Sequence, residues 1–152
     1  MLRLLAVFLV FVSSLASALD RQPNADYRAR RERLAASTKG GAVVLFASTE
    51  AEGPDALYGF RQDDNFFYLT GWSEPGAALL IAPATVASAA SPARPYIEVL
   101  FLPGRNPSQE RWTGPKLGPE VAEAAEKTGF DRVEELDDLR EELVRALPQP
   151  RA

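Results

Sequence analysis

At 152 residues the chain has room for one domain, and its 46% hydrophobic and 25% charged residues are those of an ordinary globular protein. A formal charge of −4 supplies no basic footprint, which argues against nucleic-acid partners. With neither Cys nor His, disulfides, thiolate metal sites and any triad built on a histidine base are excluded, and carboxylates and carbonyls would be the only metal donors.

The chain opens on a secretory signal pattern. Arg3 provides the positive charge, residues 4–12 are a continuous apolar run, and Ala16-Ser17-Ala18 has the small-x-small form of a cleavage site. The run is too short to span a bilayer, which sets cleavage after Ala18 above an uncleaved anchor. Export to a periplasm or the cell exterior is expected, with no membrane association after cleavage. Residues 24–37 read as a helix capped by Asn24, with Tyr27 and Leu34 on one face. Arg28, Arg30, Arg31 and Arg33 read as a solvated face with Glu32 interspersed rather than as a phosphate site.

Residues 42–47 are uninterrupted apolar and predict a central strand buried on both faces. Residues 66–70 read as a second strand. A tight turn through Glu74-Pro75-Gly76 then leads into a third at 77–82, so short a connection implying an antiparallel pair. Residues 83–95, rich in Ala, Ser and Pro, read as a surface loop before a fourth strand at 96–102. Residues 103–118 read as an irregular loop. Pro119 is placed at the first position of a helix continuing through 120–128 and stopped by Gly129, and 130–133 reads as a short strand. Leu136, Leu139, Leu143 and Leu147 form one stripe of an amphipathic helix, opened by Asp137 or Asp138 and stopped by Pro148. The pattern predicts an α/β fold with a mixed sheet flanked by helices.

One stretch, 55–76, concentrates aromatics: Tyr58, Phe60, Phe66, Phe67, Tyr68 and Trp72 surround Arg61, Gln62, Asp63, Asp64 and Asn65. Asp63-Asp64 is a candidate pair for a hard cation, but a loop or capping role fits better, because neighbours on a strand point to opposite faces. Arg61 can clamp a carboxylate or, the favoured reading, pair with Asp63 or Asp64 or stack on a ring as a structural brace. Glu134-Glu135 and Asp137-Asp138 read as charge at a helix start, and Glu141-Glu142 as a solvated helix face. Trp112, in a long polar loop, either folds back on its own core or anchors a subunit interface.

Three ordered blocks then carry a resemblance. Tyr58-Gly59-Phe60-Arg61-Gln62 followed by Asn65-Phe66-Phe67-Tyr68-Leu69-Thr70-Gly71-Trp72 and Glu74-Pro75 is the first. Leu100-Phe101, Glu110-Arg111-Trp112-Thr113-Gly114 and Leu117-Gly118 form the second, and Lys127-Thr128-Gly129-Phe130-Asp131 the third. Together they resemble the N-terminal domain of aminopeptidase P, the Xaa-Pro aminopeptidase of the creatinase and prolidase superfamily.

The resemblance implies a mixed, ribonuclease-H-like sheet of five to six strands. With the signal pattern at 1–18, it places the domain at 19–147 and the start of a linker at 148–152. It implies that this domain is non-catalytic and inactive alone. The family's reaction, release of N-terminal residues linked to proline, uses two divalent metals, usually manganese, held by carboxylates and one His on a separate C-terminal "pita-bread" domain. This chain has no His and no such domain, so no cofactor is assigned to it. The implied partners are that missing domain, further copies of the chain as a homo-oligomer, and Xaa-Pro peptides in the full-length enzyme. The implied roles are oligomerisation and active-site access; the alternative is a freestanding peptide-binding or protein-interaction module. Two residues are implied as contacts to substrate or a neighbouring subunit, Asp55 and Trp112. Arg61, Gln62, Tyr68, Gly71, Glu74 and Pro75 form the structural motif.

Overall fold

The computed structural model describes residues 21–50, 60–84 and 94–147. The expected signal, the loop tip of 83–95 and the linker at 148–152 lie wholly or mostly outside them. In chain order the elements are α1 (Asn24–Ser37), β1 (Val43–Phe46), α2 (Asp64–Thr70), β2 (Ala78–Pro83), β3 (Tyr96–Leu102), α3 (Pro107–Thr113), α4 (Ala124–Thr128), β4 (Arg132–Glu135) and, after a 3₁₀ turn at Leu136–Asp138, α5 (Leu139–Ala146). The strands form one mixed sheet in the order β1-β2-β3-β4. The first two pairings are antiparallel and β3 runs parallel to β4.

The alternation of β2 and β3 divides the core. Leu79, Ile81, Leu100 and Leu102 face α1 and α2, packing with Phe66, Leu69 and Phe130. Ala78, Leu80, Val99 and Phe101 face the other way, against Leu136, Leu139, Leu143 and Ala146 of the last helix. The expected amphipathic stripe on that helix is therefore present, with Ala146 in the place expected for Leu147, which is 47% exposed. Helices on both faces of a mixed sheet match the expected fold class; among the described residues the sheet has four strands.

Several local expectations are corrected. Residues 66–70 are helix, not strand. Asp63 Oδ1 accepts from Phe66 N at 2.9 Å, capping α2, and Gly71 closes it at φ 64°, its N–H donating to Phe67 O at 2.8 Å. Phe66, Leu69 and Thr70 are the buried face, so burial at helical spacing overrides the strand preference of the aromatic run. The strand at 77–82 consequently has no partner at 66–70; it pairs with β1 and β3.

Nor is β1 central among the described residues: there it is an edge strand, and its Phe46 is 64% exposed. Pro23, not Asn24, occupies the N-cap of α1. Asn24 Nδ2 instead donates to Glu126 O and Lys127 O, carbonyls near the end of α4 that lack partners inside their own helix. Part of the expected loop 103–118 is α3, and the helix expected from Pro119 is regular only from Ala124. Glu134 and Glu135 end β4 rather than opening a helix.

The solvated arginine face is corrected at Arg31, while Glu32 and Arg33 are exposed as expected. Arg31 lies four residues after Tyr27 on the core-facing stripe and is 0% exposed. Its guanidinium meets Glu98, the one charge inside β3, at 3.0 Å, and donates to Leu69 O and Gly129 O, both at 2.9 Å. Arg94 at 3.5 Å and Arg28 at 3.8 Å complete the charge around Glu98. Asp131 pairs with both of those arginines and accepts the Glu98 N–H at 2.9 Å. Burial pulls the Arg31 guanidinium below its usual value, and the Glu98 carboxylate opposes that pull.

Candidate functional site at the ends of β1 and β3

β1 and β3 run in the same direction and end on the same side of the sheet, where three connections converge. They enclose a cleft of about 270 Å³ whose lining includes Trp72, Glu74, Pro75, Pro103, Arg105 and Lys116. Crevices at strand carboxyl ends are the usual place for ligands in α/β folds.

The first block of the sequence motif holds this cleft in shape. Gln62 Oε1 accepts from Ser48 N at 2.8 Å and from Asp63 N at 3.0 Å, while its amide donates to Glu74 O at 2.8 Å. One side chain thus ties the exit of β1, the start of α2 and the turn before β2. Glu74 and Pro75 line the wall, and the Glu74 carboxylate lies 3.5 Å from Lys116 Nζ. Gly71 sits against the Tyr27 ring, where an added Cβ would come within 2.5 Å of ring atoms.

Arg61 pairs with a neighbour at the start of α2. Its guanidinium meets both carboxylate oxygens of Asp64, at 3.0 and 3.1 Å, and the two side chains are 73% and 81% exposed. The expected pairing with Asp64 is present, and other arginines stack on aromatic rings. Arg30 lies 4.3 Å from the Tyr68 ring centre and 5.1 Å from that of Tyr27, and Arg31 lies 4.0 Å from that of Phe130. Asp63 is a helix cap, as the sequence favoured, though at a helix start rather than on a strand.

Trp112 stands on α3 with 91% of its surface exposed, which removes the fold-back reading. Glu110, two residues earlier and so on another face of the helix, reaches the cleft, while Trp112 points elsewhere. Asp55 lies outside the described residues. The structure thus brings Gln62, Glu74 and Pro75 together and leaves Trp112 as a separate exposed feature of the same corner.

Sequence reasoning missed Arg105. It donates to Glu110 through Nε at 2.7 Å and through a second nitrogen, and its Nε lies 3.5 Å from Glu120. The Arg105 hydrogen bond draws the Glu110 carboxyl below its usual range, and its pairing raises the Arg105 guanidinium. Nothing in the spacing of 105 and 110 across an irregular loop marks such a pair in advance.

No group of three or more His, Cys, Asp or Glu that could hold a metal ion exists among the described residues. With no His in the whole chain, the donors present do not fit the carboxylate-and-histidine pair of metals the resemblance implies for the full enzyme. The chemistry this corner offers is recognition: an indole in solvent and a cleft walled by tryptophan and prolines beneath a charged rim.

The sequence model of the family described as "Aminopeptidase P, N-terminal domain" matches residues 27–151. The chain is 37% identical over 106 residues to a Xaa-Pro aminopeptidase of Haemophilus influenzae, covering 68% of this chain and 23% of that protein. It is 31% identical over 133 residues to the Xaa-Pro aminopeptidase of Escherichia coli, covering 86% of this chain and 27% of that one. Among solved structures, zinc-substituted E. coli aminopeptidase P in complex with product superposes with a TM-score of 0.66 at 28% identity, over 84% of this chain and 28% of that one. The chain therefore spans about a quarter of the length of the relatives it matches. By the extent and position of the match, the chain belongs to the aminopeptidase P N-terminal domain family.

Proposed function

We propose that the chain acts as the non-catalytic N-terminal domain of an exported Xaa-Pro aminopeptidase. In that enzyme, manganese-dependent release of residues linked to proline is carried out by a C-terminal domain. What carries the reading is that the family match runs over 27–151 while the chain spans only about a quarter of relatives named Xaa-Pro aminopeptidase. The metal pair belongs to the rest of the enzyme, since the donors here do not fit it. This domain's part is to support a homo-oligomer and to shape access to the active site. There the Trp112 indole supplies an apolar wall for a proline ring, and the Asp55 carboxylate suits a peptide α-amino group.

The sheet extends, on this proposal, to the five or six strands of a ribonuclease-H-like domain. Two observations support that. β1 is an edge of four consecutive apolar residues with no charge or proline to blunt it. The last helix, which follows β4 at one edge, lies over β2 and so has carried the chain across the sheet toward β1.

Reading the coding sequence beyond Ala152 tests the proposal. It expects an open frame continuing from 148–152 as a linker into a domain with a two-metal ligand set; a stop followed by an unrelated gene overturns it. Export by residues 1–18 is tested by fractionating cells that make the tagged chain. The expected product is periplasmic or secreted and shortened by 18 residues, and a full-length cytoplasmic product removes that part. A second reading, a freestanding peptide-binding module, is favoured by the 91% exposure of Trp112. Saturable binding of an Xaa-Pro peptide by the isolated chain, followed by indole fluorescence, supports it, and the absence of binding removes it.

A further inference from the structure

Helix α3 is attached to the protein differently from the other helices. Of its seven residues, Pro107, Ser108, Arg111 and Trp112 are exposed and Glu110 is half-buried. None of its described side chains belongs to either core cluster. A helix this short does not hold its shape in water by itself, and its described side chains put no apolar face against the core. What holds it is polar. Asn106 caps it, its Oδ1 accepting from Ser108 N at 3.1 Å and its carbonyl accepting from Glu110 N at 3.0 Å. Glu110, with only 11% of its side chain exposed, takes both hydrogen bonds of the Arg105 fork. The same guanidinium reaches Glu120 beyond the helix, so one residue spans the whole connection from β3 to α4.

We infer that Arg105 is a positioning residue for Trp112: by clamping Glu110 and Glu120 it fixes the orientation of α3 and hence where the exposed indole points. The inference deepens the proposed function, resting on it only for what the indole then meets. Two consequences distinguish a clamp of this kind from a packed helix. Its hold is electrostatic and partly exposed, so salt weakens it. It also depends on a bidentate fork, which a single ammonium does not reproduce, so Lys at 105 does not replace Arg.

The test uses the 152-residue chain with Trp72→Phe, leaving Trp112 as its one tryptophan. Trp72 Nε1 is buried without a hydrogen-bond partner, so the change breaks no such bond. Time-resolved anisotropy of Trp112 then reports the motion of α3. Arg105→Ala and the isosteric Glu110→Gln are each expected to raise the amplitude of nanosecond segmental motion roughly twofold, with the unfolding temperature unmoved. Arg105→Lys is expected to restore less than half of the rigidity. Salt at about 1 M is expected to loosen the parent as the variants do. Unchanged anisotropy in both Arg105→Ala and Glu110→Gln, or a parent that salt does not loosen, overturns the inference. If Arg105→Ala does not fold, Glu110→Gln decides alone. No peptide is present in the measurement, so a clamp that fails leaves the proposed function standing. A clamp that holds while Xaa-Pro peptides go unbound and the downstream frame is absent marks failure of that reading instead.

Discussion

Two arginine–carboxylate pairs in this chain have nearly the same chemistry and opposite consequences. Arg31–Glu98 lies between α1 and β3 with both side chains 0% exposed. Arg105–Glu110 lies at the base of α3 with its side chains 37% and 11% exposed. In the first, water has been removed from both ions, so Arg31 depends on Glu98 and two carbonyls, and Glu98 on Arg31 with Arg94 and Arg28 farther off. In the second, water still reaches the arginine, and the pair orients a surface helix without holding the core together. The comparison separates what an ion pair does for stability from what it does for position.

The largest effect is expected at the buried pair. Arg31→Met leaves the buried Glu98 with only the more distant Arg94 and Arg28 as counter-charges, withdraws donors from Leu69 O and Gly129 O, and removes the cation above Phe130. Breaking one side of such a pair costs about 3–5 kcal/mol. Denaturant unfolding should therefore show a midpoint far below the parent's, if the variant folds at all. Glu98→Gln is expected to cost less, because a neutral amide oxygen can still accept from Arg31. Equal and small losses for both would show that water reaches the pair.

Gly71→Ala comes next. The position has φ 64°, and the new Cβ would come within 2.5 Å of the Tyr27 ring. The left-handed conformation alone costs a β-carbon about 1 kcal/mol, and displacing Tyr27 adds about 1–3 kcal/mol of overpacking. Asp63→Ala, which removes the cap of α2, is expected to cost about 1 kcal/mol. An Asp63→Asn variant should retain most of that, since the amide oxygen still accepts from Phe66 N. If Gly71→Ala and Asp63→Ala cost the same, the ring contact is relieved by movement of Tyr27 and the steric argument fails.

Much of the scaffold was legible in the sequence for a physical reason. β2, β3 and the leucine stripe of the last helix bury regular apolar patterns, and burial is what periodicity records. The errors fall where polar chemistry decides. Asp63 and Gly71 bracket a helix, but the aromatics between them carry strand preference, so the interior of the run signals one element and its ends another. Arg31 sits four residues from Tyr27 and three from Leu34, on the apolar stripe, and Glu98 shares the phase of Leu100 and Leu102. Each position by itself signalled burial of a charge; the number of arginines on α1 suggested a solvated face instead. The cleft was partly visible, since Gln62, Glu74 and Pro75 belong to the motif. The Arg105 clamp was not visible, because pairing across an irregular connection has no period to read.

The smallest expected effect, acid release of the clamp, sharpens the comparison most. The hydrogen bond from Arg105 draws Glu110 below the usual carboxylate range. The positive charge of Arg105, and the backbone N–H and charge of Lys116, act in the same direction against the cost of desolvation. A carboxylate whose folded value is depressed contributes fully above its unfolded value, about 4.3, and loses that contribution as pH falls through the depressed value. Trp112 anisotropy in the Trp72→Phe chain should therefore hold steady down to about pH 4.3 and then fall, while the chain stays folded. Glu50, Glu74 and Glu120 also face this corner from the β1 exit, the α2–β2 turn and the stretch before α4, so the assignment needs variants. Glu74→Gln should keep the step and Glu110→Gln should abolish it by starting loose at every pH. Glu142, lowered mainly by a hydrogen bond from Arg132, obeys the same sign but ties β4 to the last helix, where Trp112 is blind to it. An anisotropy step that survives Glu110→Gln would move control of α3 to one of the other carboxylates and would leave Arg105 with no more than a share in orienting the indole.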